Sequence, residues 1–125
     1  MSRKALSAKD AAAIGPYSHG IDADGLIFLS GQTPLDPATG KLVAGGIAEQ
    51  ARQCFANLFN VLAAVGLTAD SVQKVNVFLT NMDDFAAMNE VYKTQFSEPY
   101  PARTTVGVAA LPLDARIEME MIARR

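Results

Sequence analysis

Three ionisable side chains in the last quarter of the chain, Arg103, Glu118 and Glu120, are of types that can hold and hydrolyse a small organic acid. A guanidinium is planar, permanently charged and matches a carboxylate through two parallel hydrogen bonds. A carboxylate in a partly buried cleft can take a proton from water, its pKa raised by burial and lowered by a nearby arginine. Each also has a plainer reading. Most arginines are solvated or structurally paired, and Glu-x-Glu on a strand is often just its solvent-facing side.

Other residues offer less. Tyr17 follows Gly15-Pro16, a turn that can present a phenolic hydroxyl to a cleft, although a packed tyrosine is the commoner case. Ser30-Gly31-Gln32 ends a strand-like run, and Gly31 either forms a turn or lets a ligand approach the backbone. His19 reads as exposed or hydrogen-bonded, and Cys54 as inert core. A single histidine and a single cysteine argue against a metal site or a Cys/His nucleophile. The glycines from Gly40 to Gly46 lack the Lys-Ser/Thr of a phosphate loop.

The elements that must position these residues follow from periodicity. Tyr17–Ala23 and Leu26–Ser30 read as strands joined by Asp24-Gly25, a strong hairpin signal. Gln32–Gly46 reads as a long turn region. From Ile47 to Val65 the apolar residues recur every three or four positions, the mark of an amphipathic helix, and Gly66 is placed to stop it. Val72–Thr80 returns to a strand. Asn81 can cap a second helix, whose apolar stripe is Phe85, Met88, Val91, Tyr92 and Phe96, and Pro99 and Pro101 lie beyond it.

The chain then alternates apolar and polar residues twice, around Val106 and around Met119. If Leu111–Asp114 forms a tight turn, the two runs pair as a hairpin, and Arg103, Thr105, Gly107, Glu118 and Glu120 share one face. That convergence depends on register, since a shift of one residue sends a strand's side chains to the opposite face. Two helices suffice to cover one face of such a sheet. The face carrying Arg103 and Glu118 is therefore expected to lack intrachain cover, and its mixed polarity points to a second copy of the chain.

Composition sets the frame. The 125 residues are half hydrophobic and 19% charged, with a formal net charge of −2, which fits one α+β domain over residues 1–125. No basic stripe suggests nucleic acid, and no apolar run approaches the roughly 20 residues of a membrane helix. The Met1–Asp10 stretch lacks the apolar segment of a secretory signal, and the lone cysteine fits a reducing compartment. A cytoplasmic location is expected.

Five blocks, Gly15-Pro-Tyr-Ser18, Ser30-Gly-Gln32, Gln50-Ala-Arg-Gln53, Pro101-Ala-Arg-Thr104 and Leu111-Pro followed by Ile117-Glu-Met-Glu-Met-Ile-Ala123, together resemble the reactive intermediate deaminase family (RidA/YjgF). The likeness runs from Ala13 to the end of the chain. It implies a chorismate-mutase-like α+β fold, a mixed sheet with two helices on one face, and a homotrimer with inward-facing sheets and clefts between subunits. It also implies cofactor-free hydrolysis of 2-imino acids such as 2-iminobutanoate and 2-iminopropanoate to 2-oxo acids and ammonia.

By the same resemblance, Arg103 matches the arginine that holds the substrate carboxylate, Glu118 the glutamate that activates water, and Tyr17 a cleft tyrosine. Ser30, Gly31 and Asn89 match positions near the ligand, and Thr105 a cleft position. Glu120 does not match the catalytic glutamate. Many bacterial members carry cysteine where this chain has Thr105, and the stretch from Phe96 to Arg103 is shorter than in some members. The competing readings are a related deaminase for a larger substrate such as 2-aminomuconate, a non-enzymatic 2-oxo acid-binding protein, and a holdase chaperone.

Overall fold

The apolar period that begins at Ile47 forms helix α1 (Ile47–Ala63) in the computed structural model, which describes residues 2–7 and 15–125. Met1 and residues 8–14 lie outside the described residues, and with them part of the N-terminal stretch and the Ala13 start of the resemblance. The Glu49 carboxylate accepts the Gly46 N–H and closes the helix's first turn. Gly66 ends the last turn with φ 76°, a conformation that disfavours a side chain. The buried stripe of α1, including Ala51, Cys54, Phe55, Leu58 and Leu62, lies on the sheet.

Helix α2 (Phe85–Gln95) packs beside α1 on the same sheet face. Phe55 of α1 meets Phe59, Tyr92 and Phe96, each with ring centroids 5.7 Å away. Asn81 does act as a cap, but for a turn of 3-10 helix (Met82–Asp84) that leads into α2, its side chain accepting the Asp83 N–H.

The strands are β1 (Lys4–Leu6), β2 (Gly20–Ala23), β3 (Leu26–Gln32), β4 (Leu35–Asp36), β5 (Lys41–Leu42), β6 (Val72–Leu79), β7 (Ala102–Gly107) and β8 (Ile117–Arg124). Six of them form one sheet in the order β1-β2-β3-β8-β6-β7, while β4 and β5 pair within the region expected to be turn. The Asp24-Gly25 hairpin is present, with φ 54° and 93° at its two central residues. Its first strand is shorter than expected, because Tyr17 to His19 precede the ladder. No helix among the described residues is long and apolar enough to cross a membrane.

The terminal hairpin is not formed. β6 lies between β7 and β8, parallel to the first and antiparallel to the second. A parallel pair needs a crossover, and α2 supplies it between β6 and β7. The chain after β7 then wraps the end of β6 to reach β8: Val108 N–H donates to the Leu79 carbonyl and Thr80 N–H to the Arg116 carbonyl.

This rearrangement changes the face assignment. Arg103 is opposite Val75, and Val75 opposite Met121; Thr105 is opposite Val77, and Val77 opposite Met119. Residues opposite one another in a ladder share a face, so Arg103 and Thr105 lie on the helix-covered side. Glu120 is in a row with Asn76 and Thr104, and Glu118 in a row with Phe78 and Val106, all on the open side. The expected single face carrying Arg103 with both glutamates is therefore corrected to two faces of one sheet. The open side exposes Leu26, Phe28 and Val106 at 39–42% of their surface, as the mixed polarity of that face predicted.

Candidate functional site

Arg103 sits on edge strand β7, where its stem turns toward α2. Its Nη1 donates to Asn89 Oδ1 at 2.7 Å. The guanidinium carbon lies 4.6 Å from the centre of the Tyr92 ring and 5.5 Å from that of Phe85. Residues 85, 89 and 92 recur at helical spacing, so α2 presents two rings and one amide to the same group. This arrangement holds the cation by ring contact and one hydrogen bond, and a guanidinium has five N–H donors. A recess of about 360 Å³ beside it is lined by Asn89, Tyr92, Lys93, Tyr100 and Arg103, among others.

Thr105 follows on the same strand face. Its Oγ1 is buried and finds no hydrogen-bond partner among the described residues.

Tyr17, Ser30, Gly31 and Glu118 gather elsewhere. Together with Thr33 and Pro112 they line a recess of about 470 Å³ reached from the open side of the sheet. The pairing of β3 with β8 gains one residue between Leu29 and Gln32, so Ser30 and Gly31 form a bulge. Such bulges re-aim side chains. The bulge is pinned to the strand's entry: Ser30 Oγ donates to the Ser18 carbonyl at 2.6 Å, and Ser30 N–H to the His19 carbonyl at 2.9 Å. A Cβ on Gly31 would overlap the Glu118 carboxylate, so glycine here makes room for that group.

The Glu118 carboxyl titrates above the usual carboxylate range, first because burial penalises its charged form and second because Glu120 is close on the same strand. Glu120 itself accepts a hydrogen bond from Asn76 Nδ2 at 2.9 Å. Cys54 lies beneath, buried, its thiol donating to the Gln32 carbonyl at 3.2 Å. Burial pushes that thiol's pKa far up, which makes it a packing group as expected. Among the described residues no group of three or more His, Cys, Asp or Glu side chains is arranged to hold a metal ion.

The predicted site residues thus fall into two separate clusters. Arg103, Asn89 and Thr105 belong to the helix side; Tyr17, Ser30, Gly31 and Glu118 belong to the open side. Sequence reasoning missed Phe85 and Tyr92 as partners of Arg103, because both also satisfy the apolar stripe of α2. Pro112 and Thr33 were missed as well, being visible only once the loop before β8 and the end of β3 are placed together.

Comparison with known proteins adds the family. The family model described as endoribonuclease L-PSP matches residues 7–125. A Mus musculus protein named 2-iminobutanoate/2-iminopropanoate deaminase is 48% identical over 122 residues, covering 97% of this chain and 90% of its own. The yeast structure YEO7 superimposes with a TM-score of 0.95 at 45% identity, covering 99% of both chains. Escherichia coli TdcF, solved with bound serine, superimposes with a TM-score of 0.92 at 42% identity, covering 98% of both. With its whole fold and nearly its whole length matched, this chain belongs to the endoribonuclease L-PSP family, the reactive intermediate deaminases whose motifs it carries.

Proposed function

We propose that this protein hydrolyses reactive 2-imino acids, 2-iminobutanoate and 2-iminopropanoate among them, to 2-oxo acids and ammonia. The observation that carries the reading is the Glu118 carboxylate, seated over Gly31 in a recess with its pKa raised, in a chain that also holds a ring-clamped arginine. The name of the mouse relative supports the same chemistry. An acidic chain with one histidine gives RNA cleavage no comparable support.

The imine carbon is already electrophilic, so the reaction needs a held substrate and a positioned water. Arg103 binds the carboxylate through its free donors and fixes C2 in a near-attack geometry. Glu118 takes a proton as water adds to C2 of the protonated imine, forming a carbinolamine. It returns that proton to nitrogen and, as the C–N bond breaks, takes the hydroxyl proton, so that ammonia and the 2-oxo acid leave.

Arg103 and Glu118 lie on opposite faces of one sheet, so the full site is assembled between copies. A homotrimer with the open faces turned inward joins one copy's Arg103 half-site to a neighbour's Glu118 half-site. It also covers Leu26, Phe28 and Val106. Tyr17, Ser30 and Gly31 then stand with Glu118, and Asn89 and Thr105 with Arg103.

The direct test couples the protein to a threonine dehydratase and follows 2-oxobutanoate formation. Faster release than the spontaneous reaction is expected. Binding of 2-oxobutanoate with no acceleration would instead leave a binding protein, and suppression of client aggregation without either would leave a holdase.

The raised pKa of Glu118 gives a pH prediction. The base must be ionised, so kcat/KM falls as pH drops through that raised value. Glu120→Gln removes the second cause of the shift but leaves burial, so the acid limb is expected to move to lower pH without reaching the ordinary glutamate position. Profiles of wild type and variant on one substrate cancel the titration of the substrate itself. An unmoved limb would remove Glu118 as the titrating base or Glu120 as its perturber.

A further inference from the structure

Asp84 and Arg116 are charged, directed at one another, and unused by the mechanism above. Asp84 is buried at the junction between the Met82–Asp84 turn and α2. Its two carboxylate oxygens accept from Arg116, Nη2 at 2.7 Å and Nε at 3.2 Å, a bidentate pair. Arg116 is held through its backbone too. Its N–H donates to the buried Gln50 Oε1 at 2.9 Å, and its carbonyl accepts from Thr80 N–H. One residue is thereby tied to α1, to the end of β6 and to the start of α2.

What stands next to each partner matters. Arg116 is two residues ahead of Glu118 and closes the loop that carries Pro112 into the Glu118 recess. Asp84 is followed directly by Phe85, whose ring faces Arg103, and five residues later by Asn89, which hydrogen-bonds it. The pair therefore joins the roots of both half-sites within each subunit. An ion pair with its carboxylate buried and its arginine half exposed is a weak source of stability. Its forked geometry does fix direction and distance.

We propose that the Asp84–Arg116 pair is a positioning device, setting β8 with Glu118 and α2 with Asn89 in the relative placement at which each half-site meets its complement on a neighbouring copy. The proposal rests on the reaction assigned above for its kinetic readout. A ligand-free readout is therefore measured alongside it: the NMR signals of the Asn89 side-chain amide, the Arg103 Nε–H and the Glu118 backbone amide.

The variants are Asp84→Asn, Arg116→Gln and Arg116→Lys, with Asp22→Asn as control. Asp22 is a second carboxylate, partly buried and bonded to an arginine, Arg125, and neither residue belongs to a half-site. At temperatures well below melting, Asp84→Asn and Arg116→Gln are expected to lower kcat about 10- to 100-fold, the range for a small misplacement of reacting groups. The three NMR signals should shift in both. Arg116→Lys, which keeps the charge and loses the fork, should recover only part of the rate. Asp22→Asn should lower the melting temperature and leave kcat, KM and the three signals at their wild-type values.

Unchanged kcat and unshifted signals in Asp84→Asn and Arg116→Gln, with only Tm lowered, would overturn the proposal. Should either single variant fail to fold, the apolar double replacement Asp84→Leu with Arg116→Met serves instead; wild-type kcat and signals in that protein overturn it equally. If the wild type shows no turnover, the assigned reaction fails, and the signals alone decide whether the pair positions the two half-sites.

Discussion

Replacing Arg103 by alanine is expected to remove about 2–5 kcal/mol of binding, the cost of truncating one partner of a desolvated charge pair. That is roughly a thirtyfold to several-thousandfold loss in kcat/KM on 2-iminobutanoate. The guanidinium is already oriented by Asn89 and two rings before any substrate arrives, so little entropy is lost when a carboxylate docks. Affinity for 2-oxobutanoate, which presents the same carboxylate, should fall in parallel. Arg103→Lys should recover only part of the loss, because an ammonium keeps the charge but neither the fork nor the ring stacking. An alanine variant with wild-type kcat/KM in the dehydratase-coupled assay would take Arg103 out of the site.

How far the sequence showed this arrangement depends on the element. The α1 stripe was legible because one long apolar period has one physical explanation, and Gly66 marked its end. Asp24-Gly25 was legible because a two-residue turn with positive φ at both positions admits few other residues. The arrangement of β7 and β8 was not. Alternation shows which residues of a strand share a face but not which strand lies beside it, and the two runs fit a hairpin as well as they fit separate partners on β6. The choice was made by tertiary structure, through α2 acting as a crossover and a loop long enough to pass the end of β6. Its consequence was the face of Arg103, reversed relative to Glu118.

The same limit applies to the site. Asn89 came from family resemblance, whereas Phe85 and Tyr92 were visible as apolar residues with no sign that their ring faces meet a cation. Tyr92 serves both needs, packing with Phe55 and Phe96 and carrying Arg103 over its ring. Gly31 was ambiguous between turn and close approach, and the close approach turned out to be to Glu118.

That contact sets up the complementary expectation. Glu118→Gln keeps the shape of the side chain over Gly31 and removes the proton acceptor, so kcat should fall by about 10²–10⁴-fold, the range for a general acid–base group. Binding should not follow it down. Glutamine takes a negative charge out of a site built for an anion, so affinity for 2-oxobutanoate is expected to hold or tighten, the reverse of the Arg103→Ala pattern. Gly31→Ala displaces the same carboxylate without changing its charge, and should lower kcat in the wild-type background. In the Glu118→Gln background it should add little, because two changes acting through one group are not additive. Calorimetry for binding and the coupled assay for turnover separate the effects. A Glu118→Gln protein that keeps its kcat, or loses affinity and rate together, would mean that water is activated by something other than this carboxylate.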